Sequence, residues 1–153
     1  MAEGAALLQR GRPRVDARTR DKLPTMGKGQ HELAIDRSAD DVWKVVSDFG
    51  GLAAWMPGIE SCELESDDVR KLSMMGMELR EQLKTKDDAN RVLAYSLVGM
   101  PGIDVHLATI SVRPDGDGSM VTWAFDAEPE SMAAMMDGTY KSALDALKNH
   151  CEA

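Results

Sequence analysis

The chain reads as an α+β domain in which an antiparallel sheet is covered on one face by a long C-terminal helix. Three patterns predict this. A strand followed by a short, interrupted helix opens the regular part of the chain. Six strand-like runs then succeed one another with only turn-type residues between them, which favours antiparallel neighbours over crossover connections. One long amphipathic stretch closes the sequence and supplies the cover.

The elements follow in order from Gly29, where regular patterning begins. Gln30 to Ile35 alternates as a strand and stops at Asp36-Arg37-Ser38. Ser38, with Asp41 three residues on, resembles a capping box, and Val42, Val45, Val46 and Phe49 then recur at helical spacing, which predicts a helix from Ala39 to about Ser47. Gly50-Gly51 interrupts it. Leu52 to Trp55 can add one more turn before Pro57-Gly58 stops it.

The six further strands are Ile59 to Glu65, Val69 to Ser73, Met77 to Lys86, Arg91 to Val98, Val105 to Arg113 and Met120 to Ala127. Leu79, Glu81 and Leu83 share one face of their strand, opposite Glu78, Arg80, Gln82 and Lys84. Leu93, Tyr95 and Leu97 do the same against Ala94 and Ser96, so one face of the sheet is wet and the other covered. Around His106 two registers fit equally well, one turning Val105 and Leu107 inward and the other His106, Ala108 and Ile110. Ser131 is the expected cap of the final helix, which runs to about Asn149. Its inner side carries Met132, Met135, Met136, Thr139, Tyr140, Ala143, Leu144 and Leu147.

Composition narrows the function. A chain of 153 residues has the size of one domain, and 29% charged with 43% hydrophobic residues suits a soluble globular body. No apolar run is long enough for a membrane helix or a signal-peptide core, so a cytoplasmic location without stable membrane insertion is expected. Cys62 and Cys151 are expected as free thiols. Residues 1–28 carry seven Lys/Arg against three Asp/Glu, whereas the remainder carries eleven against twenty-three. The acidic body should repel nucleic acid. The basic head reads as a disordered N-terminal extension, or as sequence upstream of a start at Met26, with the domain proper at 29–153. His31, His106 and His150 lack the spacing of a metal site, and no glycine-rich loop follows a strand to hold a nucleotide, so neither metal nor cofactor is expected.

Three stretches carry a family resemblance: Asp41-Val42-Trp43-Lys44-Val45-Val46-Ser47-Asp48-Phe49, then Trp55-Met56-Pro57-Gly58-Ile59-Glu60-Ser61-Cys62-Glu63, then Arg80-Glu81-Gln82-Leu83. Together they resemble the START-like (SRPBCC) superfamily, and within it the bacterial polyketide cyclase/dehydrase and lipid-transport family, more distantly the plant abscisic acid receptors. The likeness spans residues 29 to 150. It implies a helix-grip fold, a curved seven-stranded antiparallel sheet around the C-terminal helix with an apolar cavity between them. It also implies that Ser73 to Met77 and Gly99 to Ile103 are the flaps at the cavity mouth. Their glycines and methionines suit flexible apolar covers.

The resemblance and the strand alternation together give a candidate ligand site. Its residues are Glu60, Cys62, Met75, Leu79, Glu81, Tyr95, Leu97 and His106 from the sheet and flaps, and Met135, Thr139 and Ala143 from the helix. Glu81 stands out as a carboxylate on the covered face, either lining the pocket or paired with an inward Lys or Arg. The plant receptors have a lysine where this chain has Glu60. Repulsion from Glu60 and Glu81 therefore disfavours an anionic ligand and favours a neutral or hydroxylated apolar one. Binding or transport of such a molecule is the first functional expectation. A cyclase/dehydratase using Glu81 with His106 or Tyr95 as proton-moving groups is the second. A ligand-gated protein-interaction module is the third, and a homodimer is compatible with any of them.

Overall fold

The computed structural model describes residues 27–153, and the basic stretch expected as an extension lies outside the described residues except for Gly27 and Lys28. Those two belong to the first strand, β1 (Gly27–Ile35), which starts ahead of the expected Gln30. Helix α1 (Ala39–Val46) begins as its capping residues require, with the Asp41 N–H donating to Ser38 Oγ at 3.1 Å. The Gly50-Gly51 break appears as a 3-10 turn over Phe49–Ala54.

Six strands follow: β2 (Ile59–Ser66), β3 (Val69–Met74), β4 (Met77–Asp87), β5 (Val92–Val98), β6 (Val105–Asp115) and β7 (Gly118–Glu128). β5 starts one residue later than alternation suggests, because Arg91 takes a left-handed φ of 55° and closes the preceding turn. The last element is α2 (Glu130–Glu152). Its cap is Pro129 rather than Ser131, which falls inside the first turn. The Pro129 carbonyl accepts from the Met132 N–H at 3.0 Å, and no side-chain cap is present.

The strands form one antiparallel seven-stranded sheet in the order β1-β7-β6-β5-β4-β3-β2. The first strand pairs with the last, so the chain closes its meander by returning to β1. Burial alternates strictly along β7, where Ser119, Val121, Trp123, Phe125 and Ala127 face inward. The ambiguous register of β6 resolves in the same way: His106, Ala108, Ile110 and Val112 are buried, while Val105 and Leu107 face out.

Helix α2 packs mainly against β1 and β7. Glycine makes that approach possible, since a Cβ at Gly27 or Gly29 would run into Ala133 or the Phe125 ring. Tyr140, Ala143, Leu144 and Leu147 from α2 join Val42, Trp43 and Val46 from α1 in the principal core. A smaller cluster of Leu52, Ile59 and Leu72 lies under the other half of the sheet. Because the helix leans on one end of the sheet, a space remains between it and β2–β5. Among the described residues no helix is long and apolar enough to cross a membrane.

Candidate functional site

The space between the two clusters is a cavity of about 230 Å³. Leu52, Ile59, Leu72, Leu79 and Leu97 form its walls. The two flaps supply Met74, Met75, Met77, Met100 and Ile103, and α2 supplies Met132, Met135, Met136 and Thr139. Met75 and Met135 are 81% and 70% exposed, so the apolar lining continues out to the mouth. Polar atoms reach the cavity from Glu81, Tyr95, Tyr140 and Thr139.

The β3–β4 flap is a two-residue hairpin in which Met75 and Gly76 have φ of 52° and 76°. Positive φ at both central positions matches the right-handed twist of the flanking strands. This tight turn also fixes what faces Glu81. Arg70 lies four residues before Met74 and Glu81 four after Met77, so the two are direct cross-strand partners on the covered face.

Arg70 and Glu81 form a buried ion pair, 3% and 8% exposed. Arg70 Nε donates to Glu81 Oε1 at 2.8 Å, Nη2 lies 2.7 Å from the same oxygen, and Nη1 donates to the Phe49 carbonyl at 3.0 Å. The guanidinium lies over the Phe49 ring at 4.1 Å and the Tyr95 ring at 4.9 Å, which offsets part of its desolvation. Burial raises the Glu81 pKa above its ordinary value, and Arg70 opposes that rise. Since the buried guanidinium cannot shed its proton, it needs a carboxylate partner, and the pair remains ionic at neutral pH.

His106 is part of a second polar group and lies behind the cavity rather than in it. The Leu97 backbone N–H donates to His106 Nδ1 at 3.0 Å, and Nε2 lies 2.7 Å from Tyr140 Oη. The first bond uses the Nδ1 lone pair, so the neutral ring carries its proton on Nε2 and donates it to Tyr140. Burial lowers the His106 pKa to about 4, so the ring is neutral at pH 7. The expected role of His106 as a cavity base is therefore corrected: it is a fixed donor with no free lone pair. Tyr140 keeps its own proton, and burial pushes its phenol pKa upward. That proton is available to a bound molecule, and the Tyr95 hydroxyl lies beside it.

Three other expected positions are also corrected. The register of β2 shifts between Ile59 and Ser61, which buries Ile59 and leaves Glu60 exposed. Glu60 Oε1 accepts from the Gly76 N–H at 3.0 Å and so braces the flap from outside. With Glu60 outside and Glu81 neutralised by Arg70, charge repulsion no longer explains rejection of an anion. Cys62 packs beside Leu52 and Leu72, with its thiol directed at the Phe49 carbonyl at 3.9 Å and its pKa raised by burial. Ala143 is buried in the helix core and borders only a separate recess by Pro57 and Gly58. Met75, Leu79, Glu81, Tyr95, Leu97, Met135 and Thr139 do converge on the cavity.

The principal omission from the sequence reading is Arg70. Alternation in β3 places it on the face of Leu72 and Met74, but only the two-residue Met75-Gly76 turn sets it opposite Glu81; the expected strand ends at Ser73 and Met77 would have paired it with Arg80.

The fold recurs among solved structures. A Bacillus thuringiensis protein is 27% identical with a TM-score of 0.77, covering 83% of this chain and 100% of its own. The Bacillus cereus protein XoxI is 28% identical with a TM-score of 0.75, covering 81% and 94%. The ZhuI aromatase/cyclase from Streptomyces sp. R1128 is 20% identical with a TM-score of 0.72, covering 84% and 94%, and shares the fold. No curated protein matches the chain. The family model for polyketide cyclase/dehydrase and lipid transport matches residues 26–152, and the chain belongs to that family.

Proposed function

We propose that this protein binds a small apolar molecule in the cavity between α2 and β2–β5. The observation that carries the reading is an apolar cavity whose mouth is formed by methionine-bearing flaps and whose polar groups are few and fixed. Affinity would come from apolar burial at roughly 25 cal/mol per Å². The polar groups would orient the ligand. At about 230 Å³ the cavity is smaller than the ~300–1,000 Å³ usual for drug-sized ligands, so larger molecules require the flaps to open. Met75 and Met100 are suited to that movement because methionine repacks without strict shape requirements.

One observation favours a second reading, catalysis of the cyclase/dehydratase type. Tyr140 faces the cavity while accepting a hydrogen bond from His106, an arrangement that suits donation of its own O–H to a substrate carbonyl. Glu81 would then supply the acceptor. Both readings require the cavity to be occupied.

The test is native mass spectrometry of protein purified from its own host, followed by titration with the neutral fluorophore N-phenyl-1-naphthylamine. A retained stoichiometric apolar compound, or saturable fluorescence enhancement abolished by Leu79→Trp, is the expected result. An empty protein that does not enhance the fluorophore, or enhances it equally in the folded Leu79→Trp variant, overturns the reading.

A further inference from the structure

Resting on the cavity-binding reading, we infer that the bound molecule is electrically neutral and presents a hydroxyl or N–H donor to Glu81 Oε2. The asymmetry of the ion pair is the starting observation. Both guanidinium nitrogens that reach Glu81 converge on Oε1, and Nη1 is committed to the Phe49 carbonyl. Among the described residues, none donates to Oε2. This oxygen is not sealed in the protein: among the described residues, Ser119 Oγ and Trp123 Nε1 are the fully enclosed side-chain polar atoms without partners, whereas Glu81 lines the cavity. The pair thus spends one carboxylate oxygen on Arg70 and turns the other to the ligand space.

An ionised carboxylate oxygen only accepts hydrogen bonds, and leaving it unmatched beside an apolar ligand is costly. A donor on the ligand removes that cost with a charge-assisted bond. The lining contains no cationic side chain, and Arg70 is already matched by Glu81. A carboxylate ligand would therefore bring an uncompensated charge into a desolvated site. The selection is one of hydrogen-bond polarity, with Arg70 as the positioning residue that holds Oε1 and thereby aims Oε2.

The test uses three probes of one ring system at pH 7: 2-naphthol, 2-methoxynaphthalene and 2-naphthoate. Wild-type protein is expected to bind 2-naphthol at least about tenfold more tightly than the ether, which cannot donate, and to bind 2-naphthoate weakest. In Glu81→Gln the amide oxygen keeps the Arg70 contact and an NH₂ group faces the cavity, so the naphthol advantage over the ether falls to within about twofold. Should that variant fail to fold, Arg70→Met/Glu81→Leu removes both charges together and is expected to erase the same preference. Equal wild-type affinity for naphthol and ether, tightest binding of naphthoate, or a naphthol preference that survives in either folded variant overturns the inference while leaving cavity binding intact. Failure of all three probes and of N-phenyl-1-naphthylamine overturns cavity binding itself.

Discussion

Arg70 on β3 and Glu81 on β4 stand directly opposite each other, with two guanidinium nitrogens 2.7 and 2.8 Å from a single carboxylate oxygen. Both side chains are almost fully removed from water. Desolvation offsets much of the attraction in such a pair, so its presence is weak evidence of net stabilisation. Removing one partner is a different matter. Arg70→Met leaves a buried carboxylate without a counter-ion and is expected to cost about 3–5 kcal/mol in urea denaturation. Arg70→Met/Glu81→Leu should recover most of that loss. A double variant as unstable as the single one would show that the pair itself holds β3 and β4 together.

His106 should make stability depend on pH in a defined window. Its pKa is about 4 when folded and 6.5 when free, so between these values the unfolded chain binds the additional proton. The stabilisation is complete above pH 6.5 and is lost as the pH falls towards 4. Two and a half pKa units correspond to about 3 kcal/mol at most. His106→Gln offers an oxygen to the Leu97 N–H and an NH₂ to Tyr140 without titrating. Urea midpoints at pH 7.5 and 4.5 should therefore differ less in the variant than in wild type. An unchanged pH dependence would remove His106 from the account.

The contrast between these two groups shows which features were legible in the sequence. Alternation of Leu79, Glu81 and Leu83 put Glu81 on the covered face, and turn residues located the strands and flaps. The partner of Glu81 depended on hairpin register, set by a two-residue turn whose positive φ at Met75 sequence preference does not favour. His106 presented a two-way choice of face that β6 alone cannot settle, since Val105, Leu107 and Ala108 are all apolar. Pairing with β7 settled it, by placing His106 opposite Ala127 on the face that meets α2. Glu60 was misplaced because an irregularity beside Ile59 breaks the alternation. Local patterning identified the faces, and the errors lie where a turn or irregularity resets the period.

The flap can be tested separately from the fold. Met75 is 81% exposed and holds a left-handed φ of 52°. Met75→Gly removes a backbone penalty of about 1 kcal/mol and adds a comparable entropic cost to folding, so stability should change by less than about 1 kcal/mol. It also removes an apolar cover from the mouth. Stopped-flow release of N-phenyl-1-naphthylamine should be several-fold faster than in wild type. Release at the wild-type rate would show that the Met75 side chain does not limit exit.

Tyr140 links the histidine to the cavity, and its hydroxyl can be removed with little change in packing because the ring is held by Trp123 and Phe125 at centroid distances of 5.1 and 4.8 Å. Tyr140→Phe leaves the His106 Nε2–H without its acceptor, at an expected cost of about 1–3 kcal/mol. His106 Nδ1 remains fixed by the Leu97 N–H, so the imidazole should keep its Nε2–H tautomer, readable from its ¹⁵N shifts. The effect on ligands should follow the lost donor. A carbonyl probe such as 2-acetylnaphthalene would lose affinity, whereas naphthalene, which accepts no comparable hydrogen bond, would bind as before. Equal weakening of the two probes would mean that Tyr140 shapes the cavity without donating to its occupant, and the donor role would then fall to Tyr95, whose hydroxyl lies beside it.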